Sequence, residues 1–156
     1  PYMEVFFGEI DPAHEATILK NIRENNLDET PAFAKASAGK RAHIKIGDLF
    51  EPFGDLKFDI IAANPPYVPT DRALPASVAD YEPALALRAG TDGLDIIRRI
   101  ALDLPMHLNK NGVAWIEVDS AHAAAAGALF AARGFTAEIL NDQYDKPRVI
   151  VVSFPQ

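Results

Sequence analysis

The stretch FDIIAANPPYVP, residues 58–69, decides the fold. Its first half, FDIIAA, is a short apolar run with one aspartate, which is typical of a strand buried on both faces. Asn64, Pro65, Pro66 and Tyr67 follow, and consecutive prolines cannot continue a sheet ladder because proline fixes φ and has no N–H. We therefore expect a buried strand that carries an amide and an aromatic ring into a rigid loop at its carboxyl end. Ligands bind at that position in open α/β sheets.

The composition bounds the class of protein. The chain has 156 residues, of which 49% are apolar and 24% charged, as expected for one globular domain. The net charge of -7 argues against a broad basic surface that grips nucleic acid. The absence of cysteine excludes a disulfide framework, a thiolate nucleophile and a Cys-based zinc site. No apolar run is as long as a membrane span and no signal peptide pattern is visible, so we expect a cytoplasmic protein.

Strands and helices alternate along the chain in the order β-α-β-β-α-β-α-β-β. The order predicts a mainly parallel sheet with helices on both faces, closed by an antiparallel hairpin at the carboxyl end. The strands are predicted at residues 4–9, 42–46, 58–63, 113–118, 135–140 and 148–154. The helices are predicted at residues 12–25, from 94 to the Asn-Gly pair at 111–112, and from 120 to 132, with a short one near 73–79.

Local signals predict how these elements begin and end. Asp11 is expected to cap the first helix, with Pro12 at its first position, and Ser120 to cap the last. Gly134 is expected to stop that last helix. Residues 28–41 consist mostly of small residues and lysine and are interpreted as a loop or insert. We therefore predict a single domain over residues 1–156.

Polar side chains follow three successive strands of this predicted sheet. Glu9 ends the first strand, where an acid either accepts hydrogen bonds from ribose hydroxyls or stabilises a helix N-terminus. Asp48 follows the second, where it either binds an adenine amine, with Leu49 or Phe50 covering the ring, or forms a turn. Because the carboxyl ends of parallel strands line one crevice, we expect Glu9, Asp48 and Asn64 to lie together.

The residue types of the loop suit a planar nitrogen. The Asn64 side-chain oxygen and the Pro65 carbonyl can accept the two hydrogens of an NH₂ group, while Tyr67 stacks on its plane. Two acceptors and an aromatic wall would orient a poor nucleophile and favour the positive charge that develops on it. A reaction with a very good leaving group, such as methyl transfer from a sulfonium, needs no strong base beside it. The four histidines have no metal-ligand spacing, so no metal site is predicted.

An NPPY sequence after a buried strand resembles the target-nitrogen motif of methyltransferases that use S-adenosylmethionine. Adenine-N6 DNA methyltransferases and protein glutamine-N5 methyltransferases share it. YEPALAL at residues 81–87 and GTDGLD at residues 90–95 resemble the HemK/PrmC family of the second group. The resemblance implies a Rossmann-like methyltransferase fold, S-adenosylmethionine as cofactor, and methylation of the glutamine in the GGQ loop of peptide-chain release factors.

The resemblance also implies roles for individual residues. Glu9 corresponds to the ribose-binding acid, and Asp48 with Leu49 to the adenine-binding turn. Asn64 corresponds to a residue that lies beside the donor methyl and the substrate amide. The rest of the proposed catalytic and substrate-binding set comprises Pro65, Pro66, Tyr67, Glu82 and Pro83.

Two departures from the family pattern qualify this interpretation. The first strand with its glycine-rich loop and the helical N-terminal domain have no counterpart, so residues 1–156 are expected to be the carboxyl-terminal part of the enzyme and to bind cofactor poorly alone. A sheet without that strand is expected to self-associate through its exposed edge. The alternatives are a ribosomal-protein glutamine as substrate, an adenine-N6 nucleic-acid methyltransferase, and a non-catalytic remnant that acts as a binding module.

Overall fold

The computed structural model describes residues 3–27, 41–73 and 84–156. The chain divides into two compact units, Pro1–Gly54 and Asp55–Gln156, each of which is described by itself. The single domain stays a prediction. The insert predicted at 28–41 lies, apart from Arg41, outside the described residues, as does the helix predicted near 73–79 except for its first residue.

The first unit contains a parallel strand pair and one helix. Strands β1 (Val5–Glu9) and β2 (Ala42–Ile46) pair in register from one end to the other. Helix α1 (Glu15–Glu24) follows a single 3-10 turn, Pro12–His14. The Asp11 side chain caps that turn by accepting the backbone N–H of Ala13 at 2.8 Å, which confirms the predicted cap.

The second unit contains a four-stranded sheet. Its strands are β3 (Phe58–Ala63), β4 (Leu108–Glu117), β5 (Thr136–Asn141) and β6 (Pro147–Ser153), and its helices are α2 (Ala84–Leu87), α3 (Asp95–His107) and α4 (Ala123–Ala131). The strand order is β3-β4-β6-β5, with β3 parallel to β4 and β6 antiparallel to both neighbours. Three of the four strands therefore run in one direction. The predicted α/β fold and the closing hairpin are confirmed.

One face of this sheet forms the core. Helix α4 packs on β5 and β6, and α3 packs on α4. The central strands bury their side chains on that face, among them Ile116 on β4 and Ile150 on β6, each 0% exposed. They meet Phe130 from α4 in the same interior, also 0% exposed. Burial alternates along β4 and β6 because only every second strand residue faces these helices.

The apolar run of β3 predicted a strand buried on both faces. That prediction is wrong, because one face of β3 is exposed. Ile60 is 66% exposed, and Asp59 and Ala62 are exposed as well. The physical reason is position, since β3 is the outer strand of the four-stranded sheet and Ile60 lies on the face opposite α4. Trp115 lies on that same face, beside Ala62 in the register, and is 42% exposed.

The junction between α3 and β4 also differs from expectation. The helix ends at His107, and the Asn-Gly pair at 111–112 lies inside β4 instead of ending the helix. Leu108 already pairs with Phe58, so the sheet begins earlier than the local signal predicts. Gly112 has a role there, because a Cβ atom at this position would lie 2.9 Å from the Phe58 carbonyl oxygen.

Helix α4 begins without the predicted serine cap. The hydroxyl of Ser120 donates to the Pro147 carbonyl at 2.7 Å, and His122 occupies the N-cap position without a side-chain capping bond. The predicted stop is confirmed, since Gly134 follows the helix with a left-handed φ of 85°. Among the described helices, none is both long and apolar enough to cross a membrane.

Candidate functional site

The NPPY loop, residues 64–67, leaves the carboxyl end of β3 as predicted. Ala63, the last residue of the strand, pairs with Ile116 of β4. Asn64 is exposed, whereas Pro65 is buried and Tyr67 half-buried. The loop therefore presents the asparagine to solvent while its second residue is anchored in the protein.

The chain that leaves the loop is held by the segment around residues 87–90. Val68 donates its N–H to the Leu87 carbonyl at 2.8 Å and accepts the N–H of Ala89 at 3.0 Å. Thr70 donates to the Gly90 carbonyl at 2.8 Å. Val68 and Ala89 are buried at 8% and 1% exposure, so these hydrogen bonds are shielded from water. The segment that follows YEP in the sequence thus supports the exit of the NPPY loop.

Gly93 of the GTDGLD sequence packs directly against the loop. Its φ is 73°, and a Cβ atom there would lie 2.5 Å from the Tyr67 carbonyl oxygen and 3.0 Å from Cε1 of His122. The glycine is therefore held between the loop backbone and an imidazole ring. The Nδ1 atom of His122 is buried, and it has no hydrogen-bond partner within the described parts of the chain.

Asp92 fixes the turn that contains this glycine. Its carboxylate accepts the N–H of Leu94 at 3.1 Å and a hydrogen bond from Nη1 of Arg98 at 3.0 Å. Nη2 of Arg98 donates to the second carboxylate oxygen. The hydrogen bonds from Arg98 and then from the Leu94 amide lower the pKa of Asp92 to about 2. The turn is thereby joined to the first turns of α3.

An open depression of about 350 Å³ lies beside the loop. Its walls are mostly apolar, with Trp115 as the largest side chain and Asn64 and Glu117 as the polar ones; Ala62, Ala63 and Val149 complete the lining. Asn64 thus borders a space that is open to solvent and has an aromatic ring in its wall. A planar amide or amino group has the shape and polarity for such a place.

The first unit places Glu9 and Asp48 at one end of its strand pair. The Gly47 N–H donates to the Glu9 carbonyl at 2.9 Å, so Glu9 and the turn that contains Asp48 are adjacent. One carboxylate oxygen of Glu9 accepts the Asp11 N–H at 2.8 Å, and the other lies 3.7 Å from Nδ1 of His14. A carboxylate has about four lone-pair sites, so further hydrogen bonds can be accepted. Carboxylate acceptors fit the hydroxyl and amino groups of a nucleoside, which donate.

Two predicted features of the site stay predictions. Asn64 belongs to the second unit and Glu9 and Asp48 to the first, so their convergence in one crevice is untested. Glu82 and Pro83 lie outside the described residues. Leu49 has a left-handed φ of 48°, a geometry that the sequence did not indicate.

Sequence reasoning missed three contributors to the site. The sequence shows only that His122 has no metal-ligand spacing, yet its ring lies against Gly93. Arg88 and Trp115 gave no local signal, because their positions depend on strand pairing. Across the parts of the chain that the structure describes, no group of three or more His, Asp or Glu side chains could hold a metal ion.

Comparison with known proteins identifies the relatives of this chain. The release factor glutamine methyltransferase of Geobacter sulfurreducens is 42% identical over 99 residues, which are 62% of this chain and 35% of that protein. The ribosomal protein uL3 glutamine methyltransferase of Bradyrhizobium diazoefficiens is 42% identical over 95 residues, 60% of this chain and 26% of that protein. The chain thus spans about a third and about a quarter of these relatives' lengths. No family model matches it.

A solved structure has the same fold. The methyltransferase from Pyrococcus furiosus superposes with a TM-score of 0.63 at 14% identity, covering 96% of this chain and 61% of that one. This likeness confirms the methyltransferase fold class. The sequence matches are more specific than the fold, since they include glutamine methyltransferases named for release factors and for ribosomal protein uL3. The chain is therefore a homologue of the protein glutamine methyltransferases.

Proposed function

We propose that the chain is part of an enzyme that methylates the side-chain amide nitrogen of a glutamine, with S-adenosylmethionine as methyl donor. The observation that carries the proposal is the NPPY loop, which sets an exposed Asn64 beside an open depression at the carboxyl end of β3. The 42% identity with glutamine methyltransferases supports the same reaction class.

The loop residues have separate tasks in the proposed reaction. The side-chain oxygen of Asn64 and the carbonyl of Pro65 accept the two hydrogens of the glutamine amide, and the Tyr67 ring packs on its plane. These contacts aim the nitrogen lone pair and stabilise the positive charge that grows on the nitrogen as its bond to the methyl carbon forms. The nitrogen then loses one proton to water. When bound, S-adenosylmethionine would supply a methyl group attached to a sulfonium sulfur, and that sulfur would be left as a neutral thioether.

Glu9 and Asp48 are the residues proposed to hold the cofactor. The Glu9 carboxylate would accept hydrogen bonds from ribose hydroxyls, and Asp48 would accept one from the adenine amine, with Leu49 against the ring. Their adjacency at the ends of β1 and β2 supports this assignment. The two neighbouring carboxylates can accept hydrogen bonds from the ribose hydroxyls and the amino group of an adenosine.

A peptide-chain release factor with its GGQ loop is the proposed acceptor. The glutamine of ribosomal protein uL3 is the second candidate, because the uL3-modifying relative is also 42% identical. The acidic charge of -7 disfavours a nucleic-acid substrate. The deciding assay is transfer of labelled methyl groups from S-adenosylmethionine to a release factor, to uL3 and to DNA by the purified full-length enzyme of which this chain is proposed to be a part. Label on the release factor that is lost when the GGQ glutamine is replaced by alanine supports the first candidate. Label confined to uL3 replaces the release factor by the second candidate, and label confined to DNA refutes glutamine methylation.

Asn64→Ala tests the role of the loop. Removal of one of the two acceptors should lower kcat by about 100-fold, since a single group aligned with developing charge contributes that much in other enzymes. Asn109→Ala is the matched control, because Asn109 is a half-buried asparagine near the amino end of β4 with one exposed hydrogen bond to Asp59. Unchanged methyl transfer by Asn64→Ala would show that the loop does not hold the acceptor.

A further inference from the structure

Arg88 lies beside the chain that leaves the NPPY loop, at the parallel bridge with Val68. One of its guanidinium nitrogens, Nη1, donates to the Pro69 carbonyl and to the Arg72 carbonyl, each at 2.7 Å. These two carbonyls belong to the ends of one turn, which the Arg72 N–H closes by donating to Pro69 at 3.2 Å. A single cation therefore joins both ends of the turn 69–72.

The loop needs donors from elsewhere in the chain. Pro65, Pro66 and Pro69 have no N–H, so half of the six residues from Asn64 to Pro69 cannot donate a backbone hydrogen bond. Carbonyl groups in such a stretch stay unpaired unless another segment supplies donors. Arg88 supplies one such bond, to the Pro69 carbonyl, and a second to the Arg72 carbonyl just beyond this stretch.

The turn is also tied to the end of β4. Arg72 contacts the Asp119 carboxylate at 3.2 Å, and Asp119 follows β4 by two residues. The N–H of Ala121 donates to the same carboxylate at 2.9 Å. The Ala121 amide and then Arg72 lower the pKa of Asp119, so this carboxylate is ionised near neutral pH. We call the two hydrogen bonds from Arg88 to the Pro69 and Arg72 carbonyls the clamp. It holds the backbone of Arg72, whose side chain binds Asp119.

We infer that Arg88 is a positioning residue for the acceptor amide. It holds the turn 69–72 through two carbonyl oxygens, and the turn holds Tyr67 and the Pro65 carbonyl in the orientation that the reaction needs. The inference rests on the proposed methyl transfer. Arg88 touches neither the glutamine nor the cofactor in this scheme, so its effect passes through the loop.

The kinetic test compares Arg88→Met and Arg88→Lys with Arg133→Met. Arg133 is an exposed arginine at the end of α4, so its substitution removes the same charge away from the loop. With the folded fraction measured by circular dichroism well below Tm, Arg88→Met should lower kcat by about 10- to 100-fold. Its KM for S-adenosylmethionine should be unchanged, and Arg88→Lys should recover part of the loss because it keeps a cation with several donors. If the loss of rate follows only the loss of folded protein, Arg88 is merely structural and the inference is wrong.

A second measurement separates this inference from the proposed function. The amide hydrogens of Val68 and Thr70, which bond to the Leu87 and Gly90 carbonyls, should exchange faster in Arg88→Met than in Arg133→Met. Unchanged exchange refutes the clamp whatever the protein methylates. If exchange is faster but the protein transfers no methyl group to any acceptor, the clamp is supported. The proposed methyl transfer is then refuted, together with the inferred effect of Arg88 on the acceptor amide.

Discussion

Gly93→Ala should damage both stability and the NPPY loop, because this glycine meets two separate restrictions. Its φ of 73° is left-handed, a region that L side chains rarely adopt. A Cβ atom would also lie 2.5 Å from the Tyr67 carbonyl oxygen, a backbone atom that cannot rotate away. The substitution therefore forces the DGLD turn and the loop apart.

The magnitude follows from these two costs. Left-handed backbone costs an alanine about 1–2 kcal/mol. Overpacking against the Tyr67 backbone costs roughly 1–3 kcal/mol more. The free energy of unfolding should therefore fall by about 2–5 kcal/mol, which is a large share of the stability of a small protein.

Gly134→Ala is the matched control for the first cost alone. Gly134 has a φ of 85°, but a Cβ atom there would meet no heavy atom within 4 Å. Urea denaturation should therefore give a loss of about 1–2 kcal/mol for Gly134→Ala and a clearly larger one for Gly93→Ala. Methyl transfer per folded molecule should fall only in Gly93→Ala, because only that variant displaces Tyr67.

The reasoning fails if the two alanine variants lose equal stability. Such a result would mean that the Tyr67 carbonyl moves without cost and that the DGLD turn does not hold the loop. Equal rates of methyl transfer in the two variants would lead to the same conclusion by an independent measurement.

Two further predictions concern the same unit. Phe130→Ala removes a side chain that is 0% exposed and should lower the free energy of unfolding by about 3–5 kcal/mol in urea denaturation. Leu102 is 53% exposed, so Leu102→Ala should lower it by less than about 1 kcal/mol. Similar losses in the two variants would contradict the assigned core. Asp92 has a pKa lowered from 3.8 to about 2, so its stabilising contribution is fully present above pH 3.8 and is lost as the pH falls through about 2. The difference in urea midpoint between the protein and Asp92→Asn should therefore shrink across that range, and a constant difference would refute the role of the Arg98 pair.

Local chemistry predicted much of the secondary structure. The cap of the first helical turn depends only on Asp11 and the two residues after it, so the sequence was sufficient. Gly134 stops α4 for a similarly local reason. The closing hairpin follows from two apolar runs around a polar turn, in which Asp142 accepts the N–H groups of Tyr144 and Lys146.

Competition between partners decided the elements that the sequence misjudged. Ser120 is a good capping residue, but its hydroxyl donates to Pro147, which is 27 residues away along the chain. The Asn-Gly pair at 111–112 looks like a helix stop, yet β4 starts at Leu108, and the pair lies in the irregular stretch between the paired residues Leu108 and Val113. A local sequence pattern does not indicate which of two possible hydrogen-bond partners a hydroxyl or a backbone group will bind in the folded protein.

The sequence by itself determined the loop and the chemistry proposed for it, because NPPY, YEP and DGLD are contiguous motifs whose residue types limit what they can bind. Only the tertiary structure decided how the loop is supported and what surrounds it. Arg88 clamps the turn after the loop, Gly93 packs against Tyr67, and Ile60 is exposed although its run of residues is apolar. Each of these depends on which segments meet across the fold, and such contacts arise from strand order and backbone pairing, which short-range patterns do not encode.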